Sequence, residues 1–232
     1  MGGAAVGCSF VAFLVLQAPT LALMFVLMIW LPVWILAAVL RYSRSLSLSL
    51  QLATLLGIAV VVIAFIVMQD PVVTWLEALQ QLKPQLLGAY EIPEQDLDSM
   101  LELAARIMTG SASAFLVLGL MLSLIIGRGW QALLFNPGGF KEEFCQMRFT
   151  RVVGLVTLAL MGIAFYSNQP LALNIVIVLS LAYVIYGLSV IHGLITKLGA
   201  GSGWLTIVYA LLVIVPLQVM VFLSLLGLGE IW

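Results

Sequence analysis

Leu50–Met68 reads LQLATLLGIAVVVIAFIVM, nineteen residues without a charge. Coiled as a helix at about 1.5 Å per residue, such a run spans the ~30 Å hydrocarbon core of a bilayer. Arg41 and Arg44 precede it and Asp70 follows it. Similar charge-free runs recur on both sides, and the spacing predicts spans near Thr20–Leu40, Leu50–Met68, Ser111–Gly127, Val152–Tyr166, Leu171–Ile195 and Trp204–Leu228. Met1–Gln17 is a seventh candidate, short and rich in small residues, without the charged start of a signal peptide. The Val152–Tyr166 run is also short, and Arg151 can snorkel to lengthen it.

Composition agrees. The chain is 64% apolar and 8% charged, with a mean hydropathy of +1.22. Soluble domains average roughly 45–50% and about 25%, so these values exclude a soluble enzyme and a disordered scaffold. The net charge of −1 gives no long-range attraction to phosphate, and there is no basic face for nucleic acid. The expected fold is all-α, a polytopic transmembrane bundle of 6–7 spans forming one membrane domain over residues 1–232.

The charges set an expected orientation. Alternating through the six spans puts Arg41, Arg44, Arg128, Lys141, Arg148, Arg151 and Lys197 on one side, which the positive-inside rule makes cytoplasmic. Residues 70–109 then lie outside, with seven acidic residues against two basic. Trp30, Trp34, Trp75, Trp130 and Trp204 sit near span ends, as interfacial anchors do.

The outer segment reads as two amphipathic helices. Asp70 caps the first and Pro71 opens it, with Val72, Trp75, Leu76, Leu79 and Leu82 on one face and Pro84 and Gly88 at its end. The second starts near Pro93 with Glu94, Asp96 and Asp98, and carries Leu97, Met100, Leu101, Ala104 and Met108 as its stripe. They form either a lid over an outward-facing cavity or a connector lying on the membrane surface.

Residues 128–151 form the expected cytoplasmic loop. Asn136-Pro137-Gly138-Gly139 is turn chemistry, since proline fixes φ and glycine permits φ > 0. Lys141–Arg151 reads as a short surface helix. Trp130, Asn136, Pro137, Gly138, Gly139 and Phe140 are therefore the candidate partner-docking loop, with a plain sharp re-entry as the alternative.

Three stretches resemble the YybS-like family of uncharacterised bacterial membrane proteins, in its proteobacterial branch: WQALLFNPGGFKEEF (130–144), HGLITKLGAGSGW (192–204) and LLGLGEIW (225–232). The resemblance is specific over the last half of the chain and rests on hydropathy over the first. It implies a multi-pass protein of the bacterial inner (cytoplasmic) membrane. The family pattern would also place a charged N-terminal extension and a basic tail beyond the two ends of this sequence. The family is distantly similar to the substrate-binding S components of energy-coupling-factor transporters, which implies a solute-binding or uptake role with protein partners, by analogy of fold. In S components, small residues spaced by four on the first helix contact the coupling subunit; Ala4, Cys8 and Ala12 have that spacing.

No Asp, Glu, Lys or Arg falls inside a predicted span, which argues against a proton or sodium antiporter and against hydrolysis. Gly199-Ala200-Gly201-Ser202-Gly203 lacks the Lys-Ser/Thr ending of a P-loop and reads as a link. Cys8, in an apolar run, and Cys145, in a loop, are not expected to pair. No enzyme activity, cofactor or metal site is expected. The expected partners are the lipid bilayer, a small-molecule solute, and a membrane or cytoplasmic protein.

The Leu171–Ile195 span is richest in polar groups, and on it Ala182, Tyr186, Ser189 and Gly193 share a helical face. Pro216 is expected to kink the last span. A kinked helix facing a polar-striped one can enclose a ligand, so the candidate cavity residues are Asn174, Tyr183, Tyr186, His192, Tyr209 and Gln218. The competing reading gives these groups interhelical hydrogen bonds, worth roughly 0.6 kcal/mol each.

Overall fold

The computed structural model describes residues 26–89, 93–201 and 203–232. Every regular element among them is helical. A π-turn over Val26–Trp30 leads into α1 (Leu31–Ser43), with Pro32 in its first turn where a missing N–H costs nothing. Arg44 ends α1 in the left-handed region (φ 52°), and Ser45 caps α2 (Leu46–Val67) by accepting a hydrogen bond from the Leu48 N–H. Asp70 likewise accepts from the Val72 and Val73 N–H groups to open α3 (Pro71–Gln80). Then come α4 (Lys83–Ala89), α5 (Glu94–Phe135), α6 (Gly139–Cys145), α7 (Arg151–Ser167), α8 (Pro170–Lys197), α9 (Gly203–Ile214) and α10 (Pro216–Gly229).

Four stretches are long and apolar enough to cross a membrane: Val26–Ser43, α2, α5 and α8. The chain is a membrane protein on that ground. The shorter apolar helices α7, α9 and α10 accompany them. Met1–Gln17, the start of the Thr20–Leu40 run, and Ala4, Cys8 and Ala12 lie outside the described residues.

The helices depart from the sequence reading in four places, each for a local reason. The second acidic-segment helix, the Ser111–Gly127 span and the start of the 128–151 loop are one 42-residue helix, α5. A change from polar to apolar changes what a helix faces without interrupting its hydrogen bonds. Isolated glycines cost only about 1 kcal/mol each, and the prolines, Pro93 and Pro137, stand outside both ends. Pro84 does not end a helix. The helix is interrupted by a turn at residues 81–82, and Pro84 lies in the first turn of α4, where its missing donor is tolerated. The helix expected over Lys141–Arg151 stops at Cys145, because Met147 and Phe149 are buried while Arg148 and Thr150 are exposed, an alternation that needs extended backbone. Lastly, Pro216 separates α9 from α10 outright: Val215 adopts φ −130°, ψ 63°, away from the helical region that a following proline disfavours.

At about 63 Å, α5 is twice the thickness of a hydrocarbon core. It meets α2 where the Ser113 hydroxyl donates to the Gly57 carbonyl at 2.7 Å. Counting residues from that contact, α5 extends beyond α2 by about 15 Å at either end. At one end α3 lies along it, the Trp75 indole N–H donating to the Thr109 hydroxyl at 3.0 Å. There Lys83 also pairs with Glu94 and Asp98, both at 2.8 Å. Hydrogen bonds to Asp98 and Glu94 raise the Lys83 pKa above its usual value. The other end carries Arg44, Arg148 and Arg151, and there the Arg148 N–H donates to the Ser47 hydroxyl at 2.9 Å. Helix α8 is central, packed against α2, α5, α7 and α10.

Candidate functional site

Asn174 stands first among the polar groups of α8. It is 1% exposed, and each hydrogen bond its side chain makes is to backbone. Its amide Nδ2 donates to the carbonyls of Arg106 (2.8 Å) and Pro170 (2.7 Å), and its Oδ1 accepts from the Gly110 N–H. Arg106 C=O and Gly110 N–H are the two ends of one turn of α5, so the amide clasps that turn from the side. Only glycine permits the approach: a Cβ at Gly110 would lie 2.7 Å from the Asn174 carbonyl oxygen and 2.8 Å from its Cα.

Two turns further along α8, Tyr183 shares a hydrogen bond with Thr157 of α7 at 3.1 Å. The Phe149 ring lies 5.1 Å from that of Tyr183 and 5.4 Å from that of Tyr186. The Ser189 hydroxyl donates to the Phe144 carbonyl at 2.6 Å and so fixes the end of α6. The His192 ring stands edge-on between Phe144 (5.2 Å) and Tyr209 (5.9 Å), its Nδ1 2.9 Å from the Leu188 carbonyl.

The six candidate cavity residues therefore divide into separate groups. Tyr183 and Tyr186 meet across Phe149, and His192 meets Tyr209. Asn174 is some 27 Å from His192 along the same helix, and Gln218 is exposed on α10. Nor is there space between α8 and α10 where they cross. A Cβ on Gly187 would fall 2.1 Å from the Leu223 carbonyl, and one on Gly227 would fall 2.6 Å from that of Tyr183. The two backbones are in direct contact, as small residues allow in membrane helix pairs.

The candidate docking loop is locally well determined. Asn136 ends α5, its N–H donating to the Ala132 carbonyl, and Gly138 takes φ 90°, which glycine alone adopts without strain. Phe140 stacks on Phe144 at 5.8 Å. Arg128 pairs with Glu143 through two hydrogen bonds, Nε to Oε2 at 2.9 Å and Nη2 to Oε1, and its Nη1 donates to Gln131 Oε1 at 2.9 Å. This bidentate pair ties α6 back onto the last turns of α5. On those turns the side chains of Trp130, Leu133, Leu134 and Phe135 are 68, 72, 77 and 81% exposed, while Ala132 is buried.

Gly110, Gly187, Gly227, Arg128, Glu143 and Phe149 were not singled out by sequence. A glycine inside an otherwise apolar helical run is the available signal for the first three, since it is kept where a backbone approaches. Arg128 and Glu143 fifteen residues apart across an Asn-Pro-Gly-Gly turn carry a weaker one.

The chain matches no protein-family model, no curated protein and no solved structure.

Proposed function

We propose that this chain is a non-enzymatic inner-membrane protein that works by assembly, presenting the 130–144 segment to an apolar helix face of a protein partner. The observation that carries this reading is the exposed row Trp130, Leu133, Leu134 and Phe135 on the end of α5, beside α6, which the Arg128–Glu143 pair ties to that helix. Positions 130, 133 and 134 share one helical face, the spacing a partner helix engages. The buried polar groups of α8 favour the same conclusion, because Asn174, Tyr183 and Ser189 are already hydrogen-bonded within the bundle.

In this reading α7 and the broken α9–α10 pair join the four long helices to make six crossings. The Lys/Arg-rich end, with Trp130–Phe144, faces the cytoplasm, and the acidic segment with α3 and α4 lies outside as a connector. The resemblance of residues 130–144, 192–204 and 225–232 to the YybS-like family supports a bacterial inner-membrane location. The same resemblance carries the alternative, a solute-binding uptake component akin to transporter S components.

Native mass spectrometry in mild detergent, with affinity capture, separates the two. Assembly predicts a stoichiometric protein partner that is lost on Leu134→Asp with the fold intact. A co-purifying small molecule lost on Asn174→Ala or Gln218→Ala, with no protein partner, would overturn it in favour of uptake.

A further inference from the structure

We propose that the cleft between α2 and α7 is a binding site for an anionic phospholipid of the surrounding bilayer, taking one acyl chain along the cleft and the phosphate at Arg148 and Arg151. The cleft has a volume of about 300 Å³ and α8 forms its floor. Leu55 and Ile58 form one wall, Val156 and Leu160 the other, and Ile175 and Leu179 the base. Leu55 and Val156 are half or more exposed, so the cleft opens sideways, where lipid would enter.

Its length and polarity fit this occupant. From Val152 to Leu160 the wall rises about 12 Å, close to the ~15 Å depth of one leaflet's hydrocarbon. One end is wholly apolar. The other is bounded by Gln51 and Phe149, and there the Gln51 amide donates to the Arg148 carbonyl at 3.4 Å. The backbone of Arg148 is thus tied to α2 through both Gln51 and Ser47. Arg148 and Arg151 flank the lining residues Phe149 and Val152, both are exposed, and neither forms an ion pair among the described residues. An acyl-length apolar channel with two exposed arginines next in sequence to the residues at one end matches a phosphate-headed lipid in charge as well as shape, since guanidinium binds phosphate bidentately.

The test is native mass spectrometry of protein reconstituted in vesicles of equal parts phosphatidylglycerol and phosphatidylcholine, then extracted in mild detergent. The wild type should retain phosphatidylglycerol with about fivefold preference per arginine, roughly thirtyfold for the pair. Val156→Trp, which fills the cleft, should lose both lipids, while Leu158→Trp, of equal bulk beside it and not lining the cleft, should behave as wild type. Arg148→Gln/Arg151→Gln should keep the bound lipid and lose the preference. This charge variant lies outside the packed core, so it still decides the question if Val156→Trp fails to fold. Retention by a folded Val156→Trp equal to wild type, or an undiminished preference in the double glutamine variant, would overturn the proposal.

Discussion

Replacing Asn174 by alanine removes two hydrogen bonds from the α5–α8 contact, to Arg106 and Gly110, and one within α8, to Pro170. At about 0.6 kcal/mol each, the average measured between membrane helices, the two interhelical bonds account for about 1 kcal/mol. Two effects bear on that figure. Gly110 N–H and Arg106 C=O stand four residues apart in continuous helix, so neither is left without a partner once the amide is gone, which limits the loss. The void left by a side chain 1% exposed adds a cavity cost of comparable size. The expected destabilisation is therefore about 2 kcal/mol. Gly110→Ala attacks the same contact from the other side. Its Cβ meets the Asn174 backbone at 2.7–2.8 Å, which no side-chain rotation relieves, so α5 and α8 must separate. That change should cost at least as much as the 1–3 kcal/mol typical of overpacking, and the double variant should lose less than the two single losses together because both act on one contact. Reversible unfolding in mixed micelles, followed by circular dichroism, gives all three values. A loss below about 0.5 kcal/mol for Asn174→Ala, with Gly110→Ala equally silent, would refute a structural role for this amide.

Further outcomes follow from the same packing. Gly187→Ala places a Cβ 2.1 Å from the Leu223 carbonyl and should cost about 3 kcal/mol or prevent folding, whereas Gly162→Ala, which meets nothing within 4 Å, should change little; thermal melts in detergent compare them. Arg128→Gln breaks the pair with Glu143 and should leave global stability nearly unchanged while speeding amide exchange across residues 136–145. Because the Lys83 pKa is raised, its contribution is complete below the ordinary value of 10.5 and is lost only as pH rises through the higher folded value. Exchange protection of α4, corrected for intrinsic rates, should then be the same at pH 7 and pH 9, and Lys83→Gln should lower it at both.

The charge-free runs identify the long helices because a bilayer rewards uninterrupted apolar sequence directly. Caps were equally readable: Asp70 and Pro71 open α3 as expected, since N-caps act through neighbours in sequence. The continuity of α5 was not, because polarity marks the solvent a helix meets and only proline or a glycine turn marks its end. The polar groups of α8 show a deeper limit. Periodicity places Asn174 and Tyr183 on their helix, but their partners are the backbone of Arg106, Gly110 and Pro170 and a hydroxyl on another helix. Backbone partners leave no side-chain signature in a sequence, so a spent amide and a free one look alike. The extended stretch at Met147–Thr150 was missed for a related reason: its alternating burial spans only four residues, too few to outweigh the helical composition around them.

The central claim, that the end of α5 is a working surface, is tested most directly by a photocrosslinking amino acid placed at Leu134 in intact membranes, with the same probe at Leu158 as the lipid-facing control. A single protein adduct at Leu134, absent at Leu158 and abolished by Arg128→Gln or Gly138→Val, is the predicted result. Lipid adducts alone at both positions, identical in those variants, would contradict it.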